Sequence, residues 1–85
     1  MYTVKYTKDA LRFLERLDNK TYLRVKDKIN ALAQDPFAPN NNVTKLVGRD
    51  YSRLRVGKIR VIYNLLEKVL VVNVFEIGFR DSIYK

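Results

Sequence analysis

The chain is 85 residues long, carries 17 lysines and arginines against 9 aspartates and glutamates for a formal charge of +8, and contains neither cysteine nor histidine. That length allows one domain, residues 1–85, burying only about 60 to 65% of the surface its unfolded form exposes, which leaves no room for a large internal cavity. The missing cysteine and histidine exclude a disulfide framework, the usual zinc ligands and the usual general base, so any chemistry must run on arginine, lysine, tyrosine and carboxylates.

Tyr2 to Tyr6 alternates with the period of a half-buried strand. Thr7 and Asp9 are cap residues for a short helix whose Ala10, Phe13, Leu14 and Leu17 fall on one side. Asp18-Asn19 breaks that helix, and a second one from about Lys20 to Ala33 carries Tyr22, Val25, Ile29 and Leu32 at helical spacing. The prolines of Asp35-Pro36-Phe37-Ala38-Pro39, followed by Asn40 to Asn42, stop it in a surface loop. Val43 to Leu46 begins a short strand and Val47 to Asp50 a turn. Three longer strands follow, Tyr51 to Val56, Ile59 to Leu66 and Val69 to Ile77, joined by Gly57-Lys58 and Glu67-Lys68.

This order, β-α-α-β-β-β, predicts an α+β fold with the helical hairpin packed on one face of a mainly antiparallel twisted sheet. Alternation assigns Leu54, Val56, Ile59, Val61, Tyr63, Leu65, Leu70, Val72 and Val74 to the face under the helices. Arg53, Arg55, Arg60, Ile62, Asn64, Asn73 and Phe75 share the other, open face. Patterning does not decide whether the first strand lies at an edge or in the centre.

The glycine-first turn at Gly57-Lys58 pairs Val56 with Ile59 and sets Arg55 across from Arg60. Like charges so opposed weaken a sheet, and an anionic ligand would relieve them. An arginine fork matches two phosphate oxygens and stays charged at any physiological pH. Arg53, Arg55 and Arg60, with Arg49 and Lys58 at the ends of their face, therefore form a candidate phosphate clamp, with Lys45 a weaker member. Phe75 either stacks a base or packs against a terminal or partner segment. Glu76, the sole acid within a predicted strand interior, is expected to form an ion pair near the sheet end. No Asp/Glu cluster has magnesium-site spacing, so neither metal nor small-molecule cofactor is expected.

The charge predicts attraction to nucleic acid or an acidic protein rather than a membrane, since the basic residues concentrate on strands and not on one amphipathic helix. No apolar run approaches the roughly 20 residues of a spanning helix, and the N-terminus lacks signal-peptide order, so a cytoplasmic location is expected. If the reaction is RNA cleavage, a metal-free route exists through attack of the 2'-hydroxyl on the adjacent phosphate. Arg60 and Arg80 would stabilise the charge of the phosphorane, and Tyr84 would take part in proton transfer.

The strings Lys45-Leu46-Val47-Gly48, Tyr51 to Tyr63 and Val74 to Arg80 with Ile83-Tyr84 resemble the RelE side of the RelE/ParE superfamily of bacterial and archaeal toxins, across nearly the whole chain. The resemblance implies a toxin of a type II toxin-antitoxin system, a metal-free, ribosome-dependent endoribonuclease that cuts mRNA in the A site, held inactive by an acidic antitoxin. It implies catalytic roles for Arg53, Arg55, Arg60, Arg80 and Tyr84, beside the RNA contacts that charge and alternation assign to Lys45, Arg49, Lys58 and Phe75. The best-studied branch carries lysines where this chain has Arg53 and Arg55, one of them acting as base, so the base here stays unassigned. ParE-type toxins, which inhibit DNA gyrase, are the alternative, and a non-catalytic module that binds an acidic antitoxin is a third.

Overall fold

The computed structural model describes residues 1–46, 48 and 50–79. Within them the chain runs β1 (Thr3–Tyr6), α1 (Lys8–Glu15), α2 (Asn19–Gln34), β2 (Val43–Lys45), β3 (Ser52–Val56), β4 (Ile59–Leu66), a short 3-10 turn (Glu67–Val69) and β5 (Val71–Phe79). The strands form one five-stranded sheet in the order β1-β5-β4-β3-β2. β1 runs parallel to β5, and every other pairing is antiparallel. The first strand therefore lies at an edge, and the anticipated short strand at Val43 forms the opposite edge.

Each helix starts at a residue whose side chain satisfies a backbone N–H that the helix itself leaves without a partner. Thr7 is extended, and its hydroxyl oxygen accepts from the Ala10 N–H at 3.3 Å while donating to the Phe75 carbonyl at 2.9 Å. Thr7, not Asp9, is thus the cap, and it also ties α1 to β5. Asp18 caps α2 by accepting from the Thr21 N–H at 3.2 Å, which starts that helix one residue before the predicted Lys20. Hydrogen bonds from Thr21 hold the Asp18 carboxyl below its ordinary value.

The core forms where the helices cover one face of the sheet. Ala10 and Leu14 from α1 and Val25, Ile29, Leu32 and Ala33 from α2 meet Leu54, Val56, Ile59, Val61, Tyr63, Val72, Val74 and Ile77. Tyr63, assigned by alternation to the face under the helices, is 2% exposed, and burial pushes its phenol above the ordinary value of 10.0.

Two features depart from simple alternation. The β4–β5 connection is not a two-residue turn at Glu67-Lys68: the 3-10 turn ends at Leu70, held left-handed at φ 53, with its side chain half exposed instead of in the core. Two poor turn formers give no two-residue hairpin, and the extra turn moves the start of β5 from Val69 to Val71. The second feature is a bulge. Tyr63 pairs with Val74 but Ile62 with Glu76, so Phe75 is an extra residue and the phase of β5 reverses. Strict alternation from Val74 would put Glu76 beneath the helices. The bulge puts Ile77 there instead and leaves the carboxylate exposed, avoiding burial of an unpaired charge.

Candidate functional site

The β3–β4 hairpin sets the geometry of the face away from the helices. Gly57 has φ 59, and Lys58 has no positive φ, the glycine-first turn expected of this dipeptide. The register is Val56 with Ile59, Arg55 with Arg60, Arg53 with Ile62. The Arg55 N–H bonds to the Asn42 carbonyl at 2.8 Å on the β2 side, so it does not face β4. Arg55 and Arg60 are therefore the non-hydrogen-bonded kind of pair, whose Cβ atoms approach to about 4.5–5.5 Å.

Arg53, Arg55 and Arg60 lie on that face together, at different depths. Arg55 is exposed, with its guanidinium at a long 3.5 Å from the Asn42 side-chain oxygen. Arg53 is half-buried. Arg60 is 8% exposed, so the face is not open at its centre as alternation implied. A residue on the central strand is flanked on both sides, and the partner of Arg60 on β5 is Gly78, which has no side chain to compete for its space. Ile62, at 5% exposure, is the apolar floor beside them.

Phe75 lies further along the same face and meets Tyr51 edge to face, with ring centroids 4.7 Å apart. The contact reaches across β4, and the Thr7 hydroxyl fixes the Phe75 carbonyl from behind. Asn73 donates to Asn64 at 3.2 Å next to this aromatic pair. Other expected members are placed differently. Lys45 pairs with Ser52, so it points to the helix side of an edge strand, away from the arginines. Lys58 is exposed at the hairpin tip. Arg49, Arg80 and Tyr84 lie outside the described residues. Glu76 forms no ion pair among the described residues, where Arg12 and Asp9 meet at 3.9 Å instead.

Three neighbours of the site were not predicted. Lys5 joins the arginine face because the parallel pairing aligns it with Asn73. Thr44 joins through its alignment with Arg53. Arg24 of α2 reaches the hairpin tip, its guanidinium 3.3 Å from where a Cβ on Gly57 would stand. All three depend on which elements meet, and local periodicity carries no record of that.

This arrangement can grip an anion by several guanidinium forks at once, with an aromatic pair beside it. Among the described residues no helix is long and apolar enough to cross a membrane. Comparison with known proteins gives the same architecture in toxins. A RelE-like toxin protein of Escherichia coli is 24% identical over 80 residues, covering 94% of this chain and 84% of the relative. The toxin in the archaeal RelE-RelB complex of Pyrococcus horikoshii OT3 superposes with a TM-score of 0.80 at 30% identity, over 93% of this chain and 94% of that one. The intact E. coli RelBE toxin-antitoxin complex matches in fold, with a TM-score of 0.79 at 22% identity over 93% and 96% of the two chains. Residues 4–84 match the family described as the ParE toxin of the type II toxin-antitoxin system parDE. The chain belongs to the RelE/ParE family of type II toxin-antitoxin toxins.

Proposed function

We propose that this toxin is a ribosome-dependent endoribonuclease that cuts mRNA in the A site and so stops translation. The observation that carries this reading is the meeting of Arg53, Arg55 and Arg60 on the one sheet face the helices do not cover. Gripping an RNA backbone there offsets the repulsion between Arg55 and Arg60. In the reaction the 2'-oxygen forms a bond to the adjacent phosphorus and the bond from phosphorus to the 5'-oxygen breaks. The 2'-proton goes to a base and the departing 5'-oxygen receives a proton, giving a 2',3'-cyclic phosphate and a 5'-hydroxyl. Arg60 and Arg80 stabilise the charge that develops on the phosphorane. Arg53 and Arg55 hold the flanking backbone, and Tyr84 relays a proton. Arg49, Lys58 and Phe75 extend the RNA footprint, whereas Lys45, turned to the other side, adds only long-range attraction.

An acidic antitoxin is the proposed inhibitor, because the chain carries +8 and the similar RelE proteins are seen in complexes with RelB antitoxins. The match to the ParE family description favours a second reading, inhibition of DNA gyrase. Purified ribosomes programmed with a defined mRNA separate the two. Transcripts cut at ribosome-occupied codons, with ends that resist ligation until the cyclic phosphate is opened and removed, support the ribonuclease. Intact transcripts together with blocked supercoiling by gyrase would replace it with the second reading.

A further inference from the structure

The bulge in β5 sets a carboxylate among the arginines. Because Tyr63 pairs with Val74 and Ile62 with Glu76, the side chain of Glu76 comes out on the face away from the helices. Arg53 pairs with Ile62 from the other side, so one row across the sheet reads Arg53, Ile62, Glu76. The outer two are two strand spacings apart, about 9–10 Å. Arg60 shares the face two residues along β4, and its partner on β5 is Gly78, which makes Glu76 its diagonal neighbour at about 7–8 Å. Long side chains at that separation can meet on a common ligand. Ile62, 5% exposed, is the apolar floor between all three. Glu76 is exposed and makes no hydrogen bond or ion pair among the described residues.

Cutting by 2'-hydroxyl attack needs a group that removes the 2'-proton, and few residue types in this chain can do so at neutral pH. Arginine, lysine and tyrosine hold their protons there, whereas a carboxylate is ready to accept one. Among the described residues Glu76 is the one carboxylate on a strand, and the others lie on the helices, in loops and in the 3-10 turn. A phosphate seated over Ile62 is gripped by the forks of Arg53 and Arg60, and the attached ribose on the β5 side falls to Glu76. A bulge that re-aims one side chain is common next to active sites. Here the re-aimed side chain is that carboxylate, turned from the core to the arginines.

We propose that Glu76 is the general base of the cleavage, a catalytic residue that takes the 2'-proton of the ribose whose phosphate Arg53 and Arg60 hold. The proposal rests on the endoribonuclease reading. One carboxylate oxygen accepts the 2'-proton as the 2'-oxygen bonds to phosphorus, and the bond from phosphorus to the 5'-oxygen breaks. The 5'-oxygen takes a proton from solvent through the proposed Tyr84 relay, and Glu76 returns its own to solvent, so the protons balance.

Glu76→Gln keeps the size of the side chain and removes its charge. On ribosomes programmed with a defined mRNA it is expected to lower the cutting rate by about 100- to 10,000-fold. Its affinity for single-stranded RNA is expected to hold or rise, since a negative charge beside the arginines is gone. A second substrate separates base from acid: with sulfur in place of the 5'-oxygen at the cut, the leaving group departs without a proton. Glu76→Gln is expected to stay as slow on that substrate, relative to wild type, as on the oxygen one.

Cutting at the wild-type rate by folded Glu76→Gln overturns the role and leaves the endoribonuclease standing. So does cutting restored by the sulfur substrate, which would make the residue an acid, or a loss of RNA affinity as large as the loss of cutting. A wild-type protein that leaves ribosome-bound mRNA intact overturns the endoribonuclease, and the role of Glu76 falls with it. Should Glu76→Gln fail to fold, Glu76→Thr, which suits a strand and also lacks the carboxylate, takes its place in the same assays.

Discussion

Arg60 and Tyr63 are three residues apart on one strand and face opposite worlds. Arg60 is almost covered on the proposed anion-binding side, where the proposed role needs the planar fork rather than charge alone. Arg60→Lys keeps the charge and most of the stem, and is expected to lower cleavage of ribosome-bound mRNA by about 100-fold while the melting temperature stays near that of the wild type. Wild-type cutting by the lysine variant would remove Arg60 from the phosphorane. Tyr63 reports on the core. Its folded-state value lies above 10.0, so its contribution to stability is complete below about pH 10 and is lost as pH rises through the raised value. Tyr63→Phe should flatten the alkaline fall in melting temperature, whereas an unchanged alkaline limb would assign that fall to other groups.

Among the elements, α1 and the β5 bulge form one mechanical unit through Thr7. Its hydroxyl both caps the helix and holds the Phe75 carbonyl, so Thr7→Val, which keeps the β-branched shape, removes two hydrogen bonds together. A loss of about 1–2 kcal/mol in urea unfolding is expected, with Thr7→Ser restoring most of it. Equal stability of the valine variant would show that the bulge holds itself. The α2 cap behaves as a pH-sensitive contact. Because the Asp18 carboxyl is held below 3.8, its stabilisation is present above that pH and is lost as pH falls through the lowered value. Asp18→Asn should retain the helix start but remove this acid sensitivity, measured by circular dichroism across the acid range. The hairpin turn is equally legible: Gly57→Ala places a Cβ in the left-handed region and is expected to cost about 1–2 kcal/mol.

For the whole molecule, the charge of +8 and the clustering of arginines on one face would make the proposed binding to RNA dependent on salt. Engagement of Arg53, Arg55, Arg60 and Lys58 predicts a slope of about −3 for log affinity against log salt with single-stranded RNA, and Arg55→Ala should reduce its magnitude by about 0.7. A slope near zero would remove the clamp from RNA binding. The order of elements along the chain, the helix boundaries to within one or two residues and the arginine face were all readable from the chain. The β1 position, the bulge, the turn ending at Leu70, the orientation of Lys45 and the depth of Arg60 were not. The β1 position, the bulge and the depth of Arg60 depend on contacts between residues far apart in sequence, whereas the turn at Leu70 and the pairing of Lys45 with Ser52 are set over a few residues.

By itself the sequence determined the periods and the punctuation. Alternation in β3 and β4, the Gly57 turn and the capping residues Thr7 and Asp18 act within a few residues of chain, so local sterics and hydrogen bonding suffice to specify them. Only the tertiary structure decided that β1 would close one edge in parallel with β5 and that Phe75 would bulge, aligning Lys5, Asn73 and Asn64 and bringing Phe75 to Tyr51 across β4. The choice of edge depends on which strand leaves room for α1 and α2 to bury their apolar sides. The bulge keeps Glu76 out of that same core, a balance of burial that no single segment contains.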